Sequence, residues 1–282
     1  MKRPPPWLRW LASALVLVLA AWLLWRALRG LSLAQVQAAL LATPASALLA
    51  SLLATAVSFA CLAVYERVAT QWLAPGKIPC AVAWRTGLIA HALANTLGFH
   101  PVTAVALRFE RYRAHGVDAG KLARIVAAIG GCVASGVLAM LAVAGAWWLW
   151  QSGRFAIVSI FALVLTVAGL VVARRVRQVL PRSRMLSQLG QVFGIGLLEM
   201  TAAVLALWVL VPDGALPGGP AFVYLFVGAT LLGIVSHAPG GLGVFEATVL
   251  AAATPSARAQ VLAALLAYRV LYNLLPCALA LM

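Results

Sequence analysis

Glu246 closes the stretch PGGLGVFE, Pro239 to Glu246, a glycine- and proline-rich interruption in an otherwise apolar run. Pro239, Gly240, Gly241 and Gly243 free the backbone from helical geometry and let another group approach it closely. If that run lies in a membrane, a break facing lipid would strand amides at several kcal/mol each, so it must be buried or line a wet cavity. The short helix expected after Gly243 offers free N–H groups and a positive dipole end, a suitable seat for a phosphate. Small residues also suit a tight helix-packing corner, and the pattern admits both readings. Glu246, in the first turn of that helix, can cap its own amides or act as a proton-titrating or gating group, and the two roles are compatible.

Two further ionisable residues fall inside apolar runs. Arg269 is eleven residues past Arg258, so at 1.5 Å per residue it sits about 16 Å along the last helix, near mid-bilayer. It needs an anion: Glu246, Glu199 or the phosphate of a bound lipid. Glu199 lies near the middle of its own run, between Gly194, Gly196 and Thr201. These three groups suit a fixed ion pair, or an arginine that exchanges its carboxylate for a lipid phosphate; the second reading is preferred. His91 and Asn95 line one run and His237 adjoins the PGG break, although lone histidines are more often packing residues. No His/Glu spacing implies a metal, no motif implies a cofactor, and no nucleophile–base pair implies an enzyme. Cys61, Cys80, Cys132 and Cys277 show no CxxC spacing and read as small hydrophobes.

The elements that carry these residues must use lipid as solvent. Of 282 residues 64% are hydrophobic and 10% charged, far from the composition of a soluble domain. The net charge of +15 would suggest nucleic acid in a soluble protein, but here the basic residues sit between apolar spans and set orientation instead. The expected fold is all-α and polytopic, one integral membrane domain over 1–282. Full spans are expected at 8–28, 44–65, 125–150, 155–173, 188–211 and 259–282. Segments 78–115 and 220–254 read as re-entrant helical hairpins. If 78–98 crossed fully, the loop holding Arg108, Arg111, Arg113, Lys121 and Arg124 would face away from the Arg174 to Arg184 cluster or from the N-terminus. Re-entry removes that conflict and places the N-terminus in the cytoplasm. Each hairpin reads as an apolar run, a Gly/Pro break, a short helix with an early glutamate (Glu110; Glu246), a turn and a full span. Entering from opposite sides, the two make an inverted repeat.

PGGLGVFE, followed by YRVLYNLLP (Tyr268 to Pro276), resembles the lysylphosphatidylglycerol synthase transmembrane-domain family, the flippase-like membrane proteins. Tyr65-Glu66, ANTLGF (Ala94 to Phe99), Leu107-Arg108 and Tyr112 extend the resemblance along most of the chain. Two departures are visible: Ala104-Val105 stands where relatives often have Gly-Gly, and relatives usually continue beyond the point where Met282 stands. The resemblance implies a protein of a bacterial-type inner membrane that moves a phospholipid or lipid-linked headgroup between leaflets. It adds Arg108 and Tyr272 to the candidate substrate-binding or gating residues Glu246, Arg269, Glu199, Gly240, Gly241, Gly243, His237 and Asn95.

The expected partner is therefore a membrane phospholipid, anionic or phosphate-bearing, and not nucleic acid. Its phosphate would rest on Arg269 and the Gly243 helix terminus, with Glu246 and Glu199 balancing charge or carrying protons. The alternative is an accessory scaffold for a lipid-synthesis enzyme, or the transmembrane part of an aminoacyl-phospholipid synthase without its catalytic domain.

Overall fold

The computed structural model describes residues 32–97, 100–153 and 185–282, together with Val18, Ala21, Trp22 and Trp25. The span expected at 8–28, apart from those four residues, the span at 155–173 and the Arg174 to Arg184 cluster lie outside the described residues. Every regular element among the described residues is helical: α1 (Leu33–Leu41), α2 (Ala45–Leu73), α3 (Cys80–Leu97), α4 (His100–Arg113), α5 (Ala119–Gln151), α6 (Met185–Trp208), α7 (Pro220–Val235), α8 (Val244–Ala251), α9 (Arg258–Tyr268), a π-helical segment (Arg269–Leu274) and α10 (Leu275–Leu281). Four stretches, Ala45–Leu73, Ala119–Gln151, Gly190–Trp208 and Pro255–Leu281, are long and apolar enough to cross a membrane. Their outward faces carry Leu49, Leu53, Leu138, Leu198 and Leu274, all exposed, which suits contact with lipid chains.

Helix α2 runs eight residues beyond its expected end at 65. Glu66 and Arg67 look like a span terminus in the sequence, yet Glu66 is fully buried in the helix interior. The reason is pairing: Arg108 neutralises Glu66 (below), so the charge need not reach water. One stripe of α2 is polar and buried. The Thr55 and Thr70 hydroxyls return to the Ser51 and Glu66 carbonyls at 2.8 and 2.9 Å. Ser51 Oγ donates to the Ala206 carbonyl at 2.6 Å, joining α2 to α6. Helices α5 and α6 cross where Gly136 meets Gly196. A Cβ on Gly136 would lie 2.9 Å from the Gly196 Cα, so only glycine permits this approach.

Helices α3 and α4 form one hairpin, α7 and α8 another. The two ends of each are tied together. Lys77 Nζ, before α3, donates to the Gly116 carbonyl, after α4, at 3.2 Å; the Thr254 N–H, after α8, donates to the Ala215 carbonyl, before α7, at 3.1 Å. The open end of the first hairpin packs on the C-terminal end of α2, where Ala69 and Ala74 cluster with Tyr112 and Val117. That of the second packs on the C-terminal end of α6, where Leu207 and Leu210 share a cluster with Ala215, Leu216 and Ala253. Contacts Ser51–Ala206, Ser58–Glu199 and Tyr65–Gly196 make α2 and α6 antiparallel. The hairpins therefore open toward opposite ends of the bundle.

Glu110 departs from expectation. It lies in the last turn of the fourteen-residue α4 and is exposed, because α4 resumes at His100, earlier than a short helix beginning near Glu110 would. Only the second hairpin has a glutamate at the start of its short helix. The turn after α4 behaves as its sequence suggests: Gly116 has φ 69°, and Asp118 Oδ1 accepts from the Lys121 N–H at 2.8 Å to cap α5. That backbone donor holds the Asp118 carboxyl below its ordinary range.

Candidate functional site

The closed tips of the two hairpins meet at the PGG break. Gly240 has φ 56°, and a Cβ there would lie 2.8 Å from the Thr96 carbonyl and 3.0 Å from that of Asn95, so a side chain has neither the backbone conformation nor the room. Gly241, φ 67°, lies against Gly233 of α7, each Cβ position 3.2 Å from the other's Cα. Gly243, φ 81°, starts α8. The break thus lets the second hairpin fold onto itself and touch the end of the first.

Arg269 is held at this junction. Its Nε donates to Glu246 Oε1 at 2.5 Å and its Nη1 to the Gly240 carbonyl at 2.7 Å. The guanidinium carbon lies 5.4 Å from the centroid of the Phe245 ring, a cation–π distance. Glu246 Oε2 meanwhile accepts from the Gly243 N–H at 2.7 Å. Glu246 is therefore cap and counter-ion at once, and the Gly243 N–H that the sequence offered to a phosphate is already taken. Arg269 Nη2 is buried with no hydrogen-bond partner among the described residues.

The π-helical segment explains how Arg269, Tyr272 and Asn273 reach their partners. Pro276 has no N–H and its ring excludes the preceding turn's carbonyl. The Leu275 N–H bonds to Val270 instead, and the widened turn redirects its side chains. Asn273 Nδ2 donates to the Asn95 carbonyl at 3.0 Å, and Thr96 Oγ1 donates to the Asn273 carbonyl at 3.0 Å. Tyr272 stacks on Tyr268 with ring centroids 5.0 Å apart, and its hydroxyl lies 2.8 Å from Ser58 Oγ.

Glu199 stands apart from the Arg269 pair. It is buried and accepts from Ser58 Oγ at 3.1 Å, while its Oε2 has no partner among the described residues. Arg108 is also remote from the break. Its Nε donates to Glu66 Oε1 and Oε2 at 2.9 and 3.0 Å and its Nη2 to Oε2 at 2.6 Å, while the Tyr112 hydroxyl donates to Oε1 at 2.6 Å. This is a sealed pair between α2 and α4 rather than an exposed headgroup contact. Asn95 joins the junction through its backbone carbonyl. His237 is exposed, with φ 56° and Nδ1 2.8 Å from the Val235 carbonyl.

Sequence reasoning missed Glu66, Ser58, Thr96 and Asn273. Val68, Ala69, Trp72 and Leu73, apolar at helical spacing beyond Glu66, were the available signal for the first. No group of metal-binding side chains occurs among the described residues. Beside the π segment runs a groove of about 380 Å³, lined by Leu52, Phe59, Leu88, Ile89 and Leu275, with Arg85 also on its wall.

The helices and their buried ionic junctions define a polytopic helical membrane protein. No protein-family profile matches the chain. It is 28% identical over 239 residues to the uncharacterized protein slr0712 of Synechocystis sp., a match covering 78% of this chain and 73% of that one. A shorter stretch of 70 residues is 43% identical to the inner membrane protein YbhN of Escherichia coli, covering 22% of each chain.

Proposed function

We propose that this chain is a lipid transporter of the flippase-like kind, moving a phospholipid or lipid-linked headgroup between the leaflets of a bacterial inner membrane. The observation that carries the reading is Arg269: two of its nitrogens are committed to Glu246 and Gly240, and the third, Nη2, is buried without a partner among the described residues, at the junction of two broken hairpins. A buried donor left unpaired costs about 1–3 kcal/mol, and such a group in a membrane protein points to a ligand or a second conformation. A lipid phosphate supplies the missing acceptor when the PGG break moves aside. The apolar groove beside the π segment suits an acyl chain. The two hairpins are read as re-entrant, one from each face, so that rocking of one against the other changes access. The inner-membrane relative and the motif resemblance point the same way.

The test is transbilayer movement of a fluorescent phospholipid in proteoliposomes. Arg269→Ala and Arg269→Lys should each lower the rate at least tenfold, since lysine keeps the charge but loses the forked donors. Arg269→Lys should also retain a monodisperse, folded protein in detergent. Wild-type rates in both variants would sink the assignment.

A further inference from the structure

The chain has six acidic residues, and three of them are buried: Glu66, Glu199 and Glu246, at 0%, 5% and 8% exposure. Arg108 neutralises the first and Arg269 the third. Glu199 has no cation beside it among the described residues. It sits at the centre of the apolar stretch Gly190–Trp208, nine residues from either end, or about 13 Å by helix rise.

We infer that Glu199 is a proton-binding site, occupied in this conformation, whose loss and uptake of a proton is coupled to the Arg269 junction through Ser58 and Tyr272. A carboxylate without a counter-ion in an apolar interior is far costlier than the neutral acid. The hydrogen bonds fit the acid. Ser58 Oγ donates to Glu199 Oε1, which leaves the Tyr272 hydroxyl to donate to Ser58. A carboxylic acid needs one donor on its carbonyl oxygen and leaves only its own O–H, on Oε2, without a partner among the described residues, whereas a carboxylate requires several donors.

A second donor for the ionised form stands in place. The Tyr65 hydroxyl is buried without a hydrogen-bond partner among the described residues. A Cβ built on Gly196 would lie 2.6 Å from it, so this hydroxyl rests on α6 one turn before Glu199, on the same face. Around Glu199 the titratable neighbours are Cys61 and Tyr65 from α2, and Tyr268 and Tyr272 from α9 and the π segment; α5 presents Cys132 toward Tyr65. None of these is cationic. When a change of access lets water reach Glu199 and its O–H bond breaks, the proton passes to that water and the carboxylate draws the Tyr65 and Ser58 hydroxyls toward it. Ser58 then turns from Tyr272, which stacks on Tyr268; Tyr268 in turn stacks on Phe245, the ring beneath Arg269. Protonation is thereby linked to the site proposed for the lipid phosphate. That coupling rests on the transport reading above; the protonation does not.

The experiment uses the full chain in phosphatidylethanolamine–phosphatidylglycerol vesicles, with infrared pH titration and lipid-transport assays on the same preparations. At neutral pH the wild type should show the carbonyl stretch of a protonated carboxyl. Glu199→Gln should lose that band and Ser58→Ala, which removes the donor but keeps the acid, should move it to higher frequency. Transport by wild type should respond to an imposed pH gradient, and transport by Glu199→Gln should not. A band absent from wild type, or surviving in Glu199→Gln, overturns the proton site; an unchanged pH response in Glu199→Gln overturns the coupling. Lipid movement absent even from wild type overturns the transport reading, and the infrared result then decides the proton site by itself.

Discussion

The Asn273 side-chain amide donates to the backbone carbonyl of Asn95 at 3.0 Å, across 178 residues of sequence. Thr96 Oγ1 returns a bond to the Asn273 carbonyl, so the tip of the first hairpin and the π-helical segment are joined in both directions. These bonds satisfy backbone groups exposed by two irregularities, the end of α3 and the widened turn before Pro276. In lipid neither could be left to solvent.

Asn273→Ala removes one of the two bonds and should lower stability by roughly 1 kcal/mol, the usual size for an interhelical hydrogen bond in a membrane protein. Thr96→Val should cost a similar amount, and the double variant should show whether the bonds act together. Unfolding in mixed detergent micelles gives all three values. No loss in any of them would mean that the junction is held by packing alone.

Gly240→Ala meets two obstacles. A φ of 56° costs a non-glycine residue about 1–2 kcal/mol, and the new methyl would press on the Thr96 carbonyl, which cannot move without the hairpin tip. Gly228→Ala is the matched control: it lies inside α7 with open space around it, and alanine should be neutral there or stabilise by up to about 1 kcal/mol. Thermal unfolding should separate the two variants clearly; similar melting would remove the close approach at the break.

Arg108→Ala should be the most damaging of these changes, because it leaves Glu66 buried and uncompensated, a loss of about 3–5 kcal/mol. Tyr112→Phe removes one hydrogen bond to the same carboxylate and should cost about 2 kcal/mol. Replacing both ions, Glu66→Met with Arg108→Met, should recover much of the Arg108→Ala loss. A double variant no better than Arg108→Ala would show that the pair does more than neutralise itself.

The helices and the break were legible because long apolar runs and glycine–proline punctuation are local signals. The elements at α3, α5, α6 and α7 start or stop within a few residues of the expected positions, apart from α5, whose Asp118 cap adds a turn and a half at its start. Which carboxylate meets Arg269 was not local: Glu246 and Glu199 were equally available in sequence, and only the fold of α8 against the π segment brings Glu246 to it. Glu66 was misplaced for a related reason. A charged pair ends a span unless a distant partner neutralises it, and Arg108, 42 residues later, is invisible to a window that reads one helix at a time. The π segment was hidden too, since Pro276 announces a disturbed helix without saying how its carbonyls will be satisfied.

The ends of the two hairpins supply a test of their placement in the membrane. The first opens beside Arg67, Lys77, Arg111, Arg113, Lys121 and Arg124, and the second beside Arg258 and Asp213. On the re-entrant reading proposed above, the positive-inside rule predicts that the first mouth faces the cytoplasm, and the antiparallel α2–α6 pair then predicts the other face for the second. Cys80 is exposed at the first mouth, whereas Cys61 and Cys132 are buried. Thr254, at the second mouth, is exposed. With Cys277 replaced by serine, a membrane-impermeant maleimide should label Cys80 in inside-out vesicles and not in right-side-out ones. Thr254→Cys in a Cys80→Ser background should show the reverse, and the two buried thiols should stay unreacted until the protein is denatured. Labelling of both positions from one face would place both hairpin mouths on the same side. An alternating-access cycle built on opposed hairpins could then not operate, even if lipid movement itself were observed.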